Sequence, residues 1–200
     1  TAGQLTSFSD FQIGEAATPI PGAALSLDGV DDLVIVPDDD ALDPTELTIE
    51  CWVKPRTADD YAGIIMKTEP FSFADGYGLN LSGGGTNFTF FVNGWGWHDA
   101  NSTTTITPGE WYHVAGTYDG FDMKLYVNGA LEATVPYTGT VNNTIFDLIL
   151  GNDNSGYALD GTLDEVRIWN RALCETEISA NMNCEIPTNA PGLVAYYPLN

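Results

Sequence analysis

The feature that most constrains this chain is a two-residue rhythm, interrupted at short intervals by glycine turns. Leu47, Ile49, Cys51 and Val53 alternate with Thr48, Glu50 and Trp52, which is the pattern of a half-buried strand. Comparable short strands are predicted at 24–27, 33–36, 63–66, 77–81, 88–92, 111–118, 123–127, 131–135, 148–151, 162–169 and 194–198. Between them stand Asp28-Gly29, Asp75-Gly76, Asn93-Gly94, Asp119-Gly120, Asn128-Gly129 and Asp160-Gly161, dipeptides that tolerate the positive φ angles of tight turns. Asn128-Gly129, between KLYV and ALEATV, is the clearest hairpin. Many short strands at such spacing predict an all-β sandwich or jelly roll rather than an α/β fold. One short helix is expected near the C-terminus, over 175–182, where Ile178 and Met182 share a face and Glu177 follows Cys174 at capping-box spacing.

At 200 residues the chain can bury one sizeable core. No internal repeat or low-complexity tract divides it, and the EIPTNAPG stretch at 185–192 reads as a linker to a last strand-like segment, LVAYYPL. The 28 Asp and Glu against 6 Lys and Arg give a net charge of −22. That field repels phosphate backbones and anionic membranes, so nucleic acid is excluded as a partner. The apolar run at 145–150 is broken by Asp147 and is far too short to span a bilayer.

Cys174 and Cys184 flank the segment CETEISANMNC, while Cys51 lies within a predicted strand. A Cys174–Cys184 disulfide is preferred, with the other pairings and the reduced state left open, and a disulfide would imply export. Zinc is not supported, because there is no Cys-x-x-Cys and neither His98 nor His113 stands at finger spacing.

Three motifs, ALSLDGVDDLVIVPDDDALDPTELTIECWVKP, GEWYHVAGTYDGFDMKLYVNG and GTLDEVRIWNRALCETEI, occur in this order. Together they resemble the laminin-G-like (LamG) domains of the concanavalin A-like lectin/glucanase superfamily, over about residues 23–199. The resemblance implies a two-sheet antiparallel jelly roll over 23–200, with residues 1–22 left as an arm or linker of unknown role. It also implies a module of a secreted or cell-surface protein. The family usually carries Ser where this chain has Cys174, which adds weight to the Cys174–Cys184 pairing. It further implies a structural Ca²⁺ held by Asp28 and Asp164, with Asp31 and Asp32 as weaker additions; six to eight hard oxygens is what this ion takes.

Catalysis finds little support. The superfamily's glycosidases need two converging carboxylates, and no E-x-D-x-x-E occurs, while Asp164 and Glu165 are adjacent and are expected on opposite strand faces. His113 lies in WYHVAGTY, a motif in which the family packs a His structurally, and no G-x-S-x-G elbow is present. Sugar binding asks for less: an aromatic face for the C–H side of a pyranose and amides or carboxylates for its hydroxyls. Trp95 and Trp97 in NGWGWHDANST, two apart with glycines around them, form the expected platform. Tyr77, Asn80 and His98 are expected to orient the ligand, together with Asn152 and Asn154 from GNDNSGY. The function expected is therefore a non-catalytic carbohydrate-binding module for a polysaccharide, neutral rather than anionic. An adhesion or spacer module contacting protein is the alternative, and a glycosidase or lyase the third reading. Four sequons, at Asn80, Asn87, Asn101 and Asn142, would be acceptors in a eukaryotic secretory route.

Overall fold

The computed structural model describes residues 24–71, 74–94, 98–153 and 155–199. Thirteen strands, one α-helix and one 3-10 turn (Asp40–Leu42) are assigned within them. They are β1 (Leu25–Asp28), β2 (Val34–Val36), β3 (Leu47–Pro55), β4 (Gly63–Lys67), β5 (Tyr77–Leu81), β6 (Phe88–Val92) and β7 (Ala100–Asn101). After these come β8 (Tyr112–Tyr118), β9 (Asp122–Val127), β10 (Ala130–Pro136), β11 (Leu148–Leu150), β12 (Asp160–Trp169), α1 (Glu175–Asn181) and β13 (Leu193–Tyr197).

The strands form two antiparallel sheets. One is seven-stranded, in the order β1-β12-β3-β8-β9-β10 with β13 also on β12, and the other is six-stranded, in the order β2-β11-β4-β5-β6-β7. The all-β jelly-roll sandwich expected from the sequence is what the chain forms. Alternation explains how the faces divide. Leu47, Ile49, Cys51 and Val53 from β3 meet Tyr77, Leu79 and Leu81 from β5 and Phe88, Phe90 and Val92 from β6 in a single core between the sheets. Burial raises the Cys51 thiol pKa far above its ordinary value, so this sulfur is an inert core group.

The turns behave as their sequences require. Asn128 and Gly129 both take positive φ, at 51° and 80°, the geometry of a two-residue hairpin whose twist matches its strands. Asn128 also fixes this hairpin to the neighbouring strand, its Oδ1 accepting from the His113 N–H at 3.0 Å. In β12 the register on β3 slips between Asp164 and Arg167, with Glu165 at φ 53°. This bulge breaks the strict alternation on which the expected opposite orientation of Asp164 and Glu165 depended.

The outer face of the seven-stranded sheet is sealed by α1. Glu50, fully buried, accepts from Trp169 Nε1 at 2.9 Å and lies 3.4 Å from His113 Nε2 and 3.6 Å from Arg167 Nη1. Burial alone would push the Glu50 carboxyl up, but His113 and Arg167 together hold it below its ordinary value. The helix has no basic residue in its last turn, and the sheet supplies donors for the carbonyls at that end. Trp52 Nε1 donates to Met182 O at 2.7 Å, and Arg167 donates to Asn181 O at 3.1 Å and to Cys184 O at 2.7 Å.

The expected Cys174–Cys184 disulfide is not formed; both residues are exposed free cysteines. The reason is the helix between them. Cys174 is its N-cap and Met182 its C-cap, so eight residues of helical rise put the two ends about 12 Å apart. A disulfide tolerates about 7 Å between Cα atoms. Cys184 N bonds Asn181 O at 3.1 Å and stays at the far end, while Cys174 Sγ lies 3.0 Å from Thr176 Oγ1.

Candidate functional site

Among the described residues, no helix lies on the outer face of the six-stranded sheet. Because Tyr77, Leu79, Leu81, Phe88, Phe90 and Val92 turn into the core, Gly78, Asn80, Thr89 and Phe91 turn outward. Pairing register lines them up in two rows. In the first, Ile149, Met66, Gly78 and Phe91 follow one another across β11, β4, β5 and β6, and Met66, Phe91 and Ile149 form their own apolar cluster with Leu33. Gly78 is what lets this row close: a Cβ there would stand 2.5 Å from the Phe91 ring and 2.8 Å from Met66 Sδ. In the second row, Gly63, Asn80, Thr89 and Asn101 follow one another across β4 to β7. Thr89 Oγ1 lies 2.8 Å from Asn101 Oδ1. Asn80 Nδ2 donates to Leu81 O at 2.9 Å, and its buried Oδ1 has no partner among the described residues.

Beside the apolar row lies a cavity of about 120 Å³, lined by Ile35, Met66, Ile149, Thr68, Pro70, Phe146, Asp147 and Asp153. Aliphatic side chains of the sheet form its floor, and Pro70 and Phe146 stand with Thr68, Asp147 and Asp153 around it. Asp153 is fixed by the N–H groups of Ser155 at 2.8 Å and Tyr157 at 2.9 Å, and Asp147 Oδ1 accepts from Asp38 N at 3.0 Å. The Thr68 hydroxyl is buried and has no partner among the described residues. Unpaired buried polar atoms cost free energy; Glu50 Oε2, His113 Nδ1 and Arg167 Nε share this state under α1, whereas the Thr68 oxygen borders a cavity. Ile35 in the lining is 57% exposed, and Phe71 and Ile145, which adjoin Pro70 and Phe146 in sequence, are 77% and 84% exposed. Phe71 holds φ at 69°, a region that bulky residues rarely occupy.

One cation lies close to this cavity, and it is turned inward. Lys67 is fully buried, its Nζ donating to Asp38 Oδ1 at 2.7 Å, to Phe146 O at 2.8 Å and to Thr144 O at 3.1 Å, with Asp43 at 3.6 Å. It ties the ends of β2 and β11 to β4 and leaves the outer face negative.

The sequence-derived site residues scatter. Tyr77 is a core residue: fully buried, it donates to Leu42 O at 2.8 Å, which removes it from any ligand surface. Three positions separate it from Asn80, and on a strand an odd separation puts side chains on opposite faces. Asn80 is on the outer face, as above. His98 is exposed, with its ring 5.4 Å from that of Tyr137. Asn152 is buried, and its backbone crosses so close over Gly63 that a Cβ there would stand 2.5 Å from Asn152 C. Trp95, Trp97 and Asn154 lie outside the described residues. Of the sequon residues, Asn101 and Asn142 are exposed and Asn80 is buried. The sequence reading missed Thr68, Phe71 and Asp147; a Pro-Phe pair within the otherwise polar KTEPFS connection was the available signal.

The expected metal ligands divide. Asp28 and Asp31 converge with Asp32, each offering a carboxylate oxygen within 4.8 Å of the others. Asp28 Oδ1 accepts from Val30 N at 2.9 Å and Asp31 N at 3.4 Å, and Asp32 Oδ2 accepts from Asp28 N at 3.0 Å. The Val30 N–H in particular holds the Asp28 carboxyl below its ordinary pKa. All-carboxylate oxygen donors fit a hard cation such as Ca²⁺ and do not fit a zinc site. Asp164 is not part of this group. Asp28 pairs with Asp160, so Asp164 stands four residues further along β12, about 13 Å away. It is buried, and burial raises its pKa to about 6.

The chain is 34% identical over 90 residues to human pappalysin-1, a match covering 41% of this chain and 5% of that protein; mouse pappalysin-1 matches at 35% over 94 residues. The chain thus spans about a twentieth of the curated relatives it matches. Among solved structures, a Bacteroides ovatus protein provisionally assigned to carbohydrate binding is similar with TM-score 0.71 at 20% identity, over 86% of this chain and 50% of that one. Domain 4 of an extracellular arabinanase from Geobacillus stearothermophilus, solved with arabinotriose, is similar with TM-score 0.65 at 23% identity, over 82% of this chain and 78% of that one. A heptameric SAP-like pentraxin from Limulus polyphemus is similar with TM-score 0.60 at 18% identity, over 91% of this chain and 94% of that one. The Laminin_G_3 family model matches residues 28–179, and with three-quarters of its length inside that match the chain belongs to the concanavalin A-like lectin/glucanases superfamily.

Proposed function

We propose that this chain is a non-catalytic carbohydrate-binding module of a larger exported protein, and that it takes a glycan on the outer face of its six-stranded sheet. The observation that carries this reading is the cavity over Met66 and Ile149, where an aliphatic floor meets Asp147, Asp153 and the unpartnered Thr68 hydroxyl. Apolar floor and convergent hydrogen-bonding groups are the two elements a sugar site needs. Trp95 and Trp97, on the connection between β6 and β7, are proposed to extend this face as stacking residues, with Asn80 and His98 toward it. The negative face favours uncharged over anionic glycans. The arabinotriose complex of the similar arabinanase domain makes arabinotriose a rational first probe. The short match within pappalysin-1 supports a role as one module among several, and among the described residues no helix is long and apolar enough to cross a membrane.

Asp28, Asp31 and Asp32 are proposed to hold one Ca²⁺, which would neutralise three like charges on the turn after β1 and so stabilise the fold. Added Ca²⁺ then raises the melting temperature of the wild type and leaves Asp28→Asn unmoved; equal responses would remove the site. A glycan array that includes arabinotriose, run with and without Ca²⁺ and with release of reducing sugar recorded, tests the binding. Retention without sugar release, weakened by Phe71→Ala or Trp97→Ala, is expected. Sugar release would instead show an enzyme, and no retention by any glycan would favour an adhesion or spacer module.

A further inference from the structure

The positive charges of this protein are segregated. Of its six Lys and Arg, Lys54, Lys124 and Arg167 sit on strands of the seven-stranded sheet, and Arg56 and Arg171 stand immediately beyond β3 and β12. Arg56 pairs with Asp160, Lys124 with Asp119 and Arg171 with Glu177. The sixth, Lys67, is spent inside the fold on Asp38, Asp43 and two carbonyls. The outer face of the six-stranded sheet therefore presents Asp147 and Asp153 at its cavity with no basic side chain among the lining residues. Carboxylates without a counter-charge accept protonated amines better than neutral hydroxyls, because charge-assisted hydrogen bonds are the stronger kind.

We propose that this cavity selects a glycan carrying free amines, taking the ammonium group of an unacetylated hexosamine unit. This rests on the carbohydrate-binding reading above and specifies its substrate class. Asp147 is exposed, lines the cavity and has one carboxylate oxygen engaged by Asp38 N; the other is the acceptor the proposal assigns to the ammonium group. Asp153, 4% exposed, has Oδ1 engaged by the Ser155 and Tyr157 N–H groups and Oδ2 by the Ser155 hydroxyl, so it supplies negative charge behind Asp147 rather than a free oxygen. Thr68, 6% exposed and with an unpartnered hydroxyl, offers a third group. Ile35, Met66 and Ile149 meet the C–H face of the ring. The size agrees: a cavity of about 120 Å³ approaches the roughly 150 Å³ that encloses a benzene molecule, enough for one ring substituent and part of its ring.

Three trisaccharides of identical β-1,4 linkage separate the terms: the glucosamine trimer, its N-acetylated form and cellotriose, which place an ammonium, an acetamide or a hydroxyl at the same carbon. Calorimetric titration of each into the wild type should show the glucosamine trimer binding about tenfold tighter than cellotriose. Asp147→Asn, which keeps the bond from Asp38, should abolish that preference. Thr68→Val should weaken binding of the glucosamine trimer. Glu110→Gln, an exposed carboxylate on a turn before β8, removes the same unit charge away from the cavity and should change nothing. Equal binding of all three trimers overturns the proposal, and so does an equal loss in Asp147→Asn and Glu110→Gln, which would reveal only the general field. If none of the trimers binds while the array retains another glycan, amine selection fails and the carbohydrate-binding reading stands. If no glycan binds at all, both fall.

Discussion

The two sheets of this sandwich carry opposite kinds of outer face. On the seven-stranded sheet, Glu50, His113, Arg167 and Trp169 form a buried polar cluster, and α1 closes over it with Arg167 and Trp52 capping the helix carbonyls. On the six-stranded sheet, an apolar row, a cavity and two oxygens face outward, and among the described residues no helix lies above them and neither oxygen has a partner. The first face also holds atoms without a hydrogen-bond partner, Glu50 Oε2, His113 Nδ1 and Arg167 Nε, but α1 covers them; no described helix covers those of the second. The three sequence motifs that carry the laminin-G resemblance fall mainly on the first: TIECWV is β3, WYHVAGTYDGFDMKLYV is β8 and β9, and LDEVRIWNRALCETEI is β12 and α1. They specify how the sandwich is locked, which is why they are informative about fold and nearly silent about ligand.

The strongest way to break this contrast is to unlock the sealed face. Arg167→Met leaves Glu50 buried with one charged neighbour fewer and frees the carbonyls of Asn181 and Cys184. Breaking a buried pair in this way costs about 3–5 kcal/mol, measurable by urea unfolding, while glycan affinity of the folded fraction stays unchanged. Next comes pH. Asp164 has its pKa raised from 3.8 to about 6 by burial, so the folded protein holds a proton that the unfolded chain releases. Its contribution is therefore present below pH 4 and is lost as pH rises from about 4 to 6. Asp164→Asn removes that dependence and stabilises the protein at neutral pH by about 1–3 kcal/mol; an unchanged stability profile would contradict it.

The open face can be broken sterically. Gly78→Ala drives a methyl into Phe91 and Met66, an overpacking that costs about 1–3 kcal/mol; here glycan binding should fall as well, because the apolar row shifts. The mildest test is chemical. Cys174 and Cys184 are exposed and Cys51 is buried, so two thiols should react at once with a disulfide reagent and the third only on unfolding. A native protein with a single accessible thiol, or none, would contradict the separation of Cys174 from Cys184 by the helix.

The fold was legible because its signals are local. Alternation and turn dipeptides located the strands, and Asn128-Gly129 forms the hairpin it promised. Where reading failed, a specific geometric rule intervened. Tyr77 and Asn80 were assigned to one ligand surface although their odd separation sends one into the core. Cys174 and Cys184 are near in sequence but are held apart by the rise of α1. Asp164 was grouped with Asp28, yet strand register places it four residues away along β12. The cavity was invisible for another reason: Ile35, Met66 to Pro70, Phe146 to Ile149 and Asp153 come from four separate stretches, and only the pairing of β2, β11 and β4 brings them together.

The central claim is that ligand meets the open face and leaves the sealed one untouched. Methyl-labelled isoleucine and methionine spectra, titrated with the trisaccharide that binds tightest, read both faces in one experiment. The account predicts saturable shifts at Ile35, Met66 and Ile149 with Ile178 and Met182 unmoved. Shifts at Ile178 and Met182 with Met66 and Ile149 still would place the ligand on the helix side and contradict it.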